Sequence, residues 1–279
     1  KDNEPSWDSP WGKGRPGWHI ECSAMSTKFL GSSFDIHGGG ADLTFPHHEN
    51  EIAQSECATG KVFVKYWMHN GFVKINNEKM SKSLNNFFTV KDILKDYNAE
   101  EVRYFILTSH YRSPLNFDVE NLNSARSALT RLYTSLRDLK LKKFEEKNMG
   151  NFKNYYGLFS QAMDDDFNTP EALAVFFDIA KEINRIKKVK PLIAGQLGFL
   201  LKEMGESLGL LEQEPENYLK WGKSESNDLS DDLIQSLISA RSDAKRSKDW
   251  KKADQIRDDL FEKGIILEDK EDDTSWRRR

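Results

Sequence analysis

The amino-acid sequence predicts an α/β region at the start of the chain, an all-α region in the middle and a small α+β module at the end. Residues 1 to about 90 contain nine of the 17 glycines and five of the six histidines, which is a composition typical of turns and binding sites. From about residue 90 onward, apolar residues recur at steps of three and four, the spacing of helices that bury one face. These two patterns define the fold class.

The α/β region is expected to contain a strand, a helix and a second strand. Residues 34–37 and 66–69 are short apolar stretches followed by turn residues, as strands are. Pro46 fits the first position, and Gly60 the stop, of a helix over roughly 46–58. This order favours a parallel sheet. Asn70 and Gly71 are expected to turn the second strand into a hairpin with residues 72–75.

The middle of the chain predicts a helical connector and then four helices. The connector covers 90–94 and 100–107, and Asp118 is the expected N-cap of the first long helix. Further helices are expected around 155–163, over a segment capped by Thr169 and opened by Pro170, and over 191–208 before Gly209. The apolar stripes of the first and third helices predict a bundle core. Their members are Leu122, Ala125, Leu129, Leu132, Leu136, Leu139, Leu173, Phe176, Ile179, Ile183 and Ile186.

Residues 213–227 are predicted to be a linker because they are polar and contain Pro215 and Gly222. Beyond the linker, two helical stripes and a strand over 265–267 predict a small module. The stripes are Leu229, Leu233 and Leu237, and Trp250, Ala253 and Leu260. Basic residues on the second helix and at the end of the chain, beside Trp276, fit either a solvated face or an RNA-binding surface.

Composition limits the function classes. With 41 basic and 45 acidic residues the net charge is -4, which argues against indiscriminate binding of polyanions. No apolar run approaches the roughly 20 residues of a membrane span, and the polar start resembles no signal peptide, so we expect a cytoplasmic protein without membrane contact. Cys22 and Cys57 are too few for a disulfide scaffold; metal ligation or a buried thiol is favoured, and a single disulfide between them remains open.

Three residues of the α/β region have side chains that zinc prefers. His47 and Glu51 are four apart on the predicted helix and therefore share a face, and Cys22 lies upstream. Thiolate, imidazole and carboxylate donors suit a tetrahedral site that leaves one position for another ligand. By spacing alone, a surface His–Glu pair and a core cysteine are an open alternative.

The glycines Gly38, Gly39 and Gly40 follow the first predicted strand, where backbone amides could approach a nucleotide. Asp42 is then placed for a ribose hydroxyl. The string matches no known phosphate-binding fingerprint, so an ordinary glycine turn is the alternative.

The string Lys79-Met80-Ser81-Lys82-Ser83 is the most specific signal in the chain. Two lysines separated by two residues on an exposed loop can contact a triphosphate and stabilise the charge that develops as pyrophosphate leaves. This string resembles the signature loop of class I aminoacyl-tRNA synthetases. Residues 14–23, 34–43 and 45–51 resemble cysteinyl-tRNA synthetases in particular, as do 111–113, 163–170 and 276–278, so the resemblance extends from Pro5 to the end.

The resemblance implies a set of site residues. Cys22, His47 and Glu51 match ligands of one Zn²⁺ per chain, which in this family binds the substrate cysteine thiolate. Trp18, His19 and His37 match residues that line the amino-acid pocket, and Gly38, Gly39 and Asp42 match the adenosine side. Lys79 and Lys82 match the catalytic lysines that contact the ATP phosphates, with Mg²⁺.

The resemblance also implies the architecture, the reaction and the partners. Residues 1–75 correspond to the C-terminal half of a Rossmann-type catalytic domain, 76–117 to a connector with the signature loop, and 118–212 to a helical bundle that binds transfer RNA. Residues 213–227 then correspond to the linker, and 228–279 to an anticodon-binding domain. The implied enzyme is a monomeric cysteine–tRNA ligase that forms cysteinyl-adenylate from L-cysteine and ATP and transfers cysteine to tRNA(Cys).

The resemblance places another zinc cysteine, the HIGH sequence and the first half of the nucleotide-binding fold before Lys1. A chain that began at Lys1 is therefore expected to have little or no aminoacylation activity. Two alternatives remain: the cysteine ligase of mycothiol synthesis, which has no need of the module over 229–279, and a non-catalytic tRNA-binding fragment.

Overall fold

The computed structural model describes residues 4–75, 78–79, 89–143, 152–221, 229–269 and 274–278. The chain divides into two compact units, Lys1–Met80 with Tyr111–Asn116, and Ser81–His110 with Phe117–Arg279. Among the described helices, none has the length and apolar content that crossing a bilayer requires.

The first unit contains two helices and two small sheets. Its elements are α1 (Trp18–Leu30), β1 (Phe34–Gly40), a 3-10 turn (Ala41–Leu43), a π turn (Thr44–His48), α2 (Glu49–Thr59), β2 (Val64–Asn70), β3 (Val73–Ile75), β4 (Glu78–Lys79) and β5 (Leu115–Phe117). Strands β1 and β2 pair in parallel, with Phe34 opposite Val64 and Gly39 opposite His69. Because α2 connects these parallel strands, the predicted strand–helix–strand unit is confirmed. Its apolar core consists of Phe34, Phe63 and Val64, with Trp67 packed against it.

The helical backbone begins at Pro46, as predicted, because Phe45 before the proline is extended (φ -137°, ψ 134°); its first residues, through His48, form a π turn, and the regular α-helix starts at Glu49. Two other local predictions for this unit are wrong. Gly38, Gly39 and Gly40 belong to β1 and do not form a turn.

The expected hairpin over 70–75 is also absent from the described sheets, since β3 lies between β4 and β5. The N–H of Gly71 donates to the carbonyl of Tyr111 at 2.8 Å, and that of Leu115 to the carbonyl of Phe72 at 2.9 Å. A Cβ at position 71 would collide with the carbonyl oxygen of Ser113, so glycine permits this close passage of two chain segments. Strand β3 therefore pairs with β5, which is distant in sequence, and not with β2, which directly precedes it.

The second unit is helical and ends in a β-hairpin. Its elements are α3 (Val90–Ile93), α4 (Ala99–Leu107), α5 (Val119–Leu136), α6 (Lys153–Asp164), α7 (Thr169–Ile186), α8 (Pro191–Ser207), α9 (Pro215–Leu219), α10 (Asp231–Arg246), α11 (Trp250–Glu262), β6 (Ile265–Asp269) and β7 (Thr274–Arg278). Helix α7 packs against α5, α6 and α8, and the predicted α7 stripe is buried throughout.

Most helix boundaries agree with the predictions. Asp118 caps α5 as expected, accepting a hydrogen bond from the N–H of Asn121. The predicted α5 stripe is buried from Leu122 to Leu136, whereas Leu139 lies beyond the end of the helix. Asn168, and not Thr169, caps α7, because its side chain accepts from the N–H of Glu171.

The predicted linker over 213–227 contains helix α9. Tyr218 of this helix is buried and stacks on Tyr133 of α5, with ring centroids 4.1 Å apart. Its hydroxyl donates to Glu101 at 3.2 Å. The polar composition of this segment did not indicate that one aromatic ring would hold it against α5. Residues 222–227 of the predicted linker lie outside the described residues.

The C-terminal module (229–269 and 274–278) buries Leu229, Ala253 and Leu260 of the predicted stripes, and Leu237 packs against its core. Its core consists of Leu229, Ile234, Ile238, Leu260, Ile265 and Trp276. Leu233 and Trp250, which the predicted stripes include, are exposed. Trp276 is 3% exposed, so it belongs to the core and is no stacking platform for RNA. Arg277 and Arg278 of the basic end pair with Glu268 and Asp231.

We predict a pH-dependent contribution from Asp269 to the stability of this module. Arg241, 2.7 Å away, together with Lys245 and Thr274, holds the pKa of the Asp269 carboxyl well below its usual range. The carboxyl of the unfolded chain titrates at about pH 4, so the stabilisation is present above that pH and is lost as pH falls further. In urea unfolding, D269N should be less stable than wild type at pH 7, and the difference should shrink below about pH 4.

The matched control is D243N on α10, which removes an exposed pair with Arg246 at 3.3 Å. Such pairs contribute little, so D243N should change the free energy of unfolding by less than about 0.5 kcal/mol. A D269N deficit that stays constant from pH 7 to pH 3 would contradict the assignment.

Candidate metal and substrate site

The site of the first unit is built at the start of α2. The π turn before the helix aims His47 and His48 inward, and both are buried. Glu51 follows one helical turn after His47, so the two side chains share a face as the sequence predicts. The distance from His47 Nε2 to Glu51 Oε1 is 2.6 Å.

Glu51 is fully buried, at 0% exposure. His37 Nε2 of β1 lies 3.2 Å from its second oxygen, Oε2. Although both imidazoles approach the carboxylate closely, neither carboxylate oxygen receives a hydrogen bond of acceptable geometry from any described residue. Burying a carboxylate without hydrogen-bond donors costs free energy. A cation bound between the carboxylate oxygens and the neighbouring ring nitrogens would offset that cost.

Cys22 of α1 completes a three-residue donor set. One ligand atom each from Cys22, His47 and Glu51 lie within 4.8 Å of one another. Cys22 is half-buried and Cys57 is exposed, and both are free thiols, so the disulfide left open by the sequence does not form. A soft thiol, an imidazole and a carboxylate on two packed helices are a donor set that fits zinc.

Trp18 and His19 of α1 contact His47 from the opposite side. The Trp18 ring stacks on His47 with centroids 4.3 Å apart, and His19 Nδ1 lies 2.7 Å from His47 Nδ1. Since one ring nitrogen of His47 meets Glu51 and the other meets His19, the imidazole is held in a fixed orientation.

Two histidines at the site were not singled out from the sequence. His48 Nδ1 lies 2.8 Å from His69 Nε2, and the Trp67 ring contacts His37, His48 and His69. His37, His48 and Glu51 form a second group of possible ligands. His69 lies near the carboxyl end of β2, beside the end of β1, and ligands of parallel sheets bind at such ends. Its position at the end of a predicted strand was the sequence signal that could have identified His69.

Burial controls the protonation of the cluster. It raises the pKa of Glu51 to about 7 and, with the nearby His37, His69 and His47, lowers the pKa of His48 to about 4. Burial also lowers the pKa of His47 and His37, and raises that of the Cys22 thiol. The imidazoles of His37, His47 and His48 are therefore neutral at pH 7, which is the form that binds metals.

The glycines assigned to a nucleotide lie in β1 at the same end of the sheet. A Cβ at Gly38 would lie 2.8 Å from the carbonyl oxygen of Met68, and a Cβ at Gly39 would lie 3.1 Å from the His48 ring. Asp42 is exposed on the 3-10 turn that follows β1. The absence of side chains at 38 and 39 thus permits both strand pairing and the position of His48.

The signature lysines are described only in part. Lys79 belongs to β4, where it pairs with Lys74 of β3. Lys82 lies outside the described residues, as do the other members of the string from Met80 onward.

Comparison with models of protein families shows which class of protein this chain belongs to. Residues 1–127 match the model of the tRNA synthetase class I (C) catalytic domain, and residues 158–212 match the DALR domain. Residues 226–277 match the cysteinyl-tRNA ligase anticodon binding domain. The three models follow one another along the chain and define it as part of a class I aminoacyl-tRNA synthetase.

Curated relatives then specify the family. The chain is 59% identical over 278 residues to the cysteine–tRNA ligase of Thioalkalivibrio sulfidiphilus and 60% identical over 282 residues to that of Methylococcus capsulatus. Each alignment covers 100% of this chain, which spans 59% and 60%, respectively, of the relatives' length. The chain belongs to the cysteinyl-tRNA synthetase family. The mycothiol alternative is not supported, since the third matched model is an anticodon-binding domain.

A solved structure shares the fold. The crystal structure of the ternary complex of LeuRS with tRNA and LeuAMS from Agrobacterium radiobacter matches 95% of this chain and 43% of its own chain. The TM-score is 0.53 at 14% sequence identity. This likeness agrees with a class I synthetase architecture.

We predict that G38A destabilises the first unit by about 1–3 kcal/mol, because the new methyl group would press on the carbonyl oxygen of Met68 and separate β1 from β2. Gly157 of α6 is the matched control, since nothing lies within 4 Å of the position that a methyl group there would occupy. G157A should stabilise by up to about 1 kcal/mol through helix propensity. Urea unfolding measures both; equal stability of G38A and wild type would rule out the close approach.

Proposed function

We propose that the protein containing this chain is a cysteine–tRNA ligase, which activates L-cysteine with ATP and transfers it to tRNA(Cys). The proposal rests on one observation above all: a thiol, an imidazole and an unpaired buried carboxylate converge in a chain of the cysteinyl-tRNA synthetase family. Because the chain spans only about three fifths of its relatives, the activity is assigned to the whole protein.

Cys22, His47 and Glu51 are the proposed ligands of one Zn²⁺ per chain. A zinc ion bound there would hold a substrate thiolate in preference to a hydroxyl, because zinc favours the softer donor. The chain's own residues prepare that site: Glu51 supplies an oxygen without competing donors among the described residues, and His19 and Trp18 hold the imidazole of His47 in place.

The remaining site residues receive roles from their positions. Trp18, His19 and His37 surround the ligand cluster and are proposed to line the cysteine pocket. Gly38, Gly39 and Asp42, at the carboxyl end of β1, are proposed to accept the adenosine, as parallel sheets bind nucleotides at this end. Lys79 and Lys82 are proposed to stabilise the ATP phosphates, together with Mg²⁺, as pyrophosphate leaves.

The architecture supports different functions for successive segments of the chain. We propose that β1, α2 and β2 belong to the C-terminal half of a Rossmann-type domain, and that α5, α6, α7 and α8 form a four-helix bundle. Residues 76–117 are the proposed connector. The bundle (118–212) and the module from 228 onward are proposed to bind transfer RNA, as the matched DALR and anticodon-binding models suggest.

Zinc content tests the ligand set. The wild-type protein should contain about one zinc per chain, whereas C22S and H47A should each contain less than about 0.2, because each loses one donor. C57S is the matched control, since that thiol is exposed and lies outside the cluster. Atomic emission on dialysed protein measures the content; retention of wild-type zinc by C22S would contradict the assignment of Cys22.

Amino-acid activation tests the enzyme class. We expect ATP–pyrophosphate exchange to require cysteine and to be at least about 1,000-fold weaker with serine, because the site binds a thiolate for which a hydroxyl is a poor substitute. C22S should lose most of the exchange, and C57S should retain it. Binding of tRNA(Cys) without any cysteine-dependent exchange would instead favour the non-catalytic RNA-binding alternative.

A further inference from the structure

One buried side chain connects the helical part of the second unit to the C-terminal hairpin. Arg137, at the end of α5, has a side chain that is only 3% exposed. Its Nε donates to Glu216 Oε1 of α9, and its Nη1 donates to Glu268 Oε2 of β6 at 2.9 Å. Nη1 also donates to Ser275 Oγ at 3.3 Å, and Nη2 to the carbonyl oxygen of Trp276 at 2.8 Å. All three guanidinium nitrogens therefore bind segments that are remote in sequence.

The module has an apolar core of its own. The buried apolar cluster that contains Trp276 consists only of module residues, from Leu229 to Trp276. Hydrophobic burial is non-directional, whereas a planar guanidinium with several acceptors fixes both distance and angle. The Arg137 contacts thus define the orientation of the hairpin relative to α5 and α9.

Neighbouring cations support the same joint. Lys220 Nζ lies 5.1 Å from the Trp276 ring centroid and 3.2 Å from Glu216 Oε2. Arg278 Nε donates to the carbonyl oxygen of Lys220 at 3.0 Å, and Arg277 Nε donates to Glu268 at 2.9 Å. Both carboxylates that receive Arg137 are therefore shared with a second cation. Cations and carboxylates alternate along this joint, in the order Lys220, Glu216, Arg137, Glu268 and Arg277, so each charged group has an oppositely charged neighbour.

We propose that Arg137 is a positioning residue for transfer-RNA recognition. It holds the C-terminal module at a fixed orientation to α5 and α9, so that the helical part and the module bind one RNA molecule as a preorganised pair of sites. Arg137 does this without touching RNA, since its guanidinium is buried. This inference rests on the proposed function, in which both parts bind transfer RNA.

The energetic benefit is one of effective concentration. When two linked sites are held in the geometry of one ligand, binding at the first makes binding at the second intramolecular, and affinity exceeds that of either site. If the joint loosens, a ligand that spans both sites loses affinity. A ligand that fills only one site is unaffected.

The test compares two RNAs on the full chain: a tRNA(Cys) transcript and the isolated anticodon stem–loop of the same tRNA. Fluorescence anisotropy gives a Kd for each, and the ratio of the two reports the linkage. In R137M, which keeps the unbranched stem of the side chain but removes every guanidinium donor, we expect the Kd for tRNA to rise about 10- to 100-fold. The Kd for the stem–loop should change by less than about two-fold, since the module itself is intact.

The matched control is K65M. Lys65 of β2 is 61% exposed and pairs with Asp35, and it lies outside both the bundle and the module, so its loss removes an exposed cation without touching the joint. Both Kd values should stay at wild-type level. R137K should behave like R137M, because an ammonium cannot reproduce the planar fork.

A second, milder variant keeps the proposal testable if R137M fails to fold. E216Q keeps the shape of one acceptor and removes its charge, and it should reduce the tRNA preference by about three-fold in the same direction. An unchanged ratio in both R137M and E216Q would overturn the proposal, as would an equal loss of both RNAs, which would indicate a merely structural role. If wild type binds neither RNA, the proposed function itself fails; if it binds both and the ratio is insensitive to Arg137, only this inference fails.

Discussion

The burial of one carboxylate, Glu51, determines the arrangement of the first unit. A fully buried carboxylate that lacks donors costs several kcal/mol, and burial accordingly raises the pKa of Glu51 to about 7. The fold surrounds it with groups that can ligate a cation, two neutral imidazoles and a thiol, and none of them donates a hydrogen bond of acceptable geometry to it. Helix α1, strand β1 and the π turn before α2 each supply one of these groups, and α2 supplies Glu51 itself, so all four elements pack around the same carboxylate.

The second unit contains buried glutamates of the opposite kind. Glu100 of α4 accepts from the hydroxyl of Tyr133, the N–H of Leu211 and the amide of Gln213. Glu101 accepts from Arg126 and Tyr218, among others. These carboxylates are satisfied by protein donors and tie α4 to α5 and α9, as buried polar networks must. Two buried glutamates with full sets of donors are structural, whereas Glu51 lacks such donors among the described residues, which supports its proposed role as a metal ligand.

Local pattern was enough for much of this protein. The stripes of α5 and α7 predicted their buried faces, because a 3.6-residue period reports directly which side of a helix leaves water. The four-residue step from His47 to Glu51 likewise predicted their contact. The candidate metal donors and the signature string that begins at Lys79 could also be recognised from residue types and their order alone.

Tertiary structure alone decided which remote segments meet. Gly38 lies in a strand because Met68 passes beside it, and Trp276 is buried because the two helices of its module close over it. His69 joins the site through parallel register, and α9 forms because Tyr218 finds Tyr133 across the unit. The physical reason is the same in each case: a sequence window records the periodicity of one segment, while pairing, stacking and burial of polar groups depend on what lies opposite.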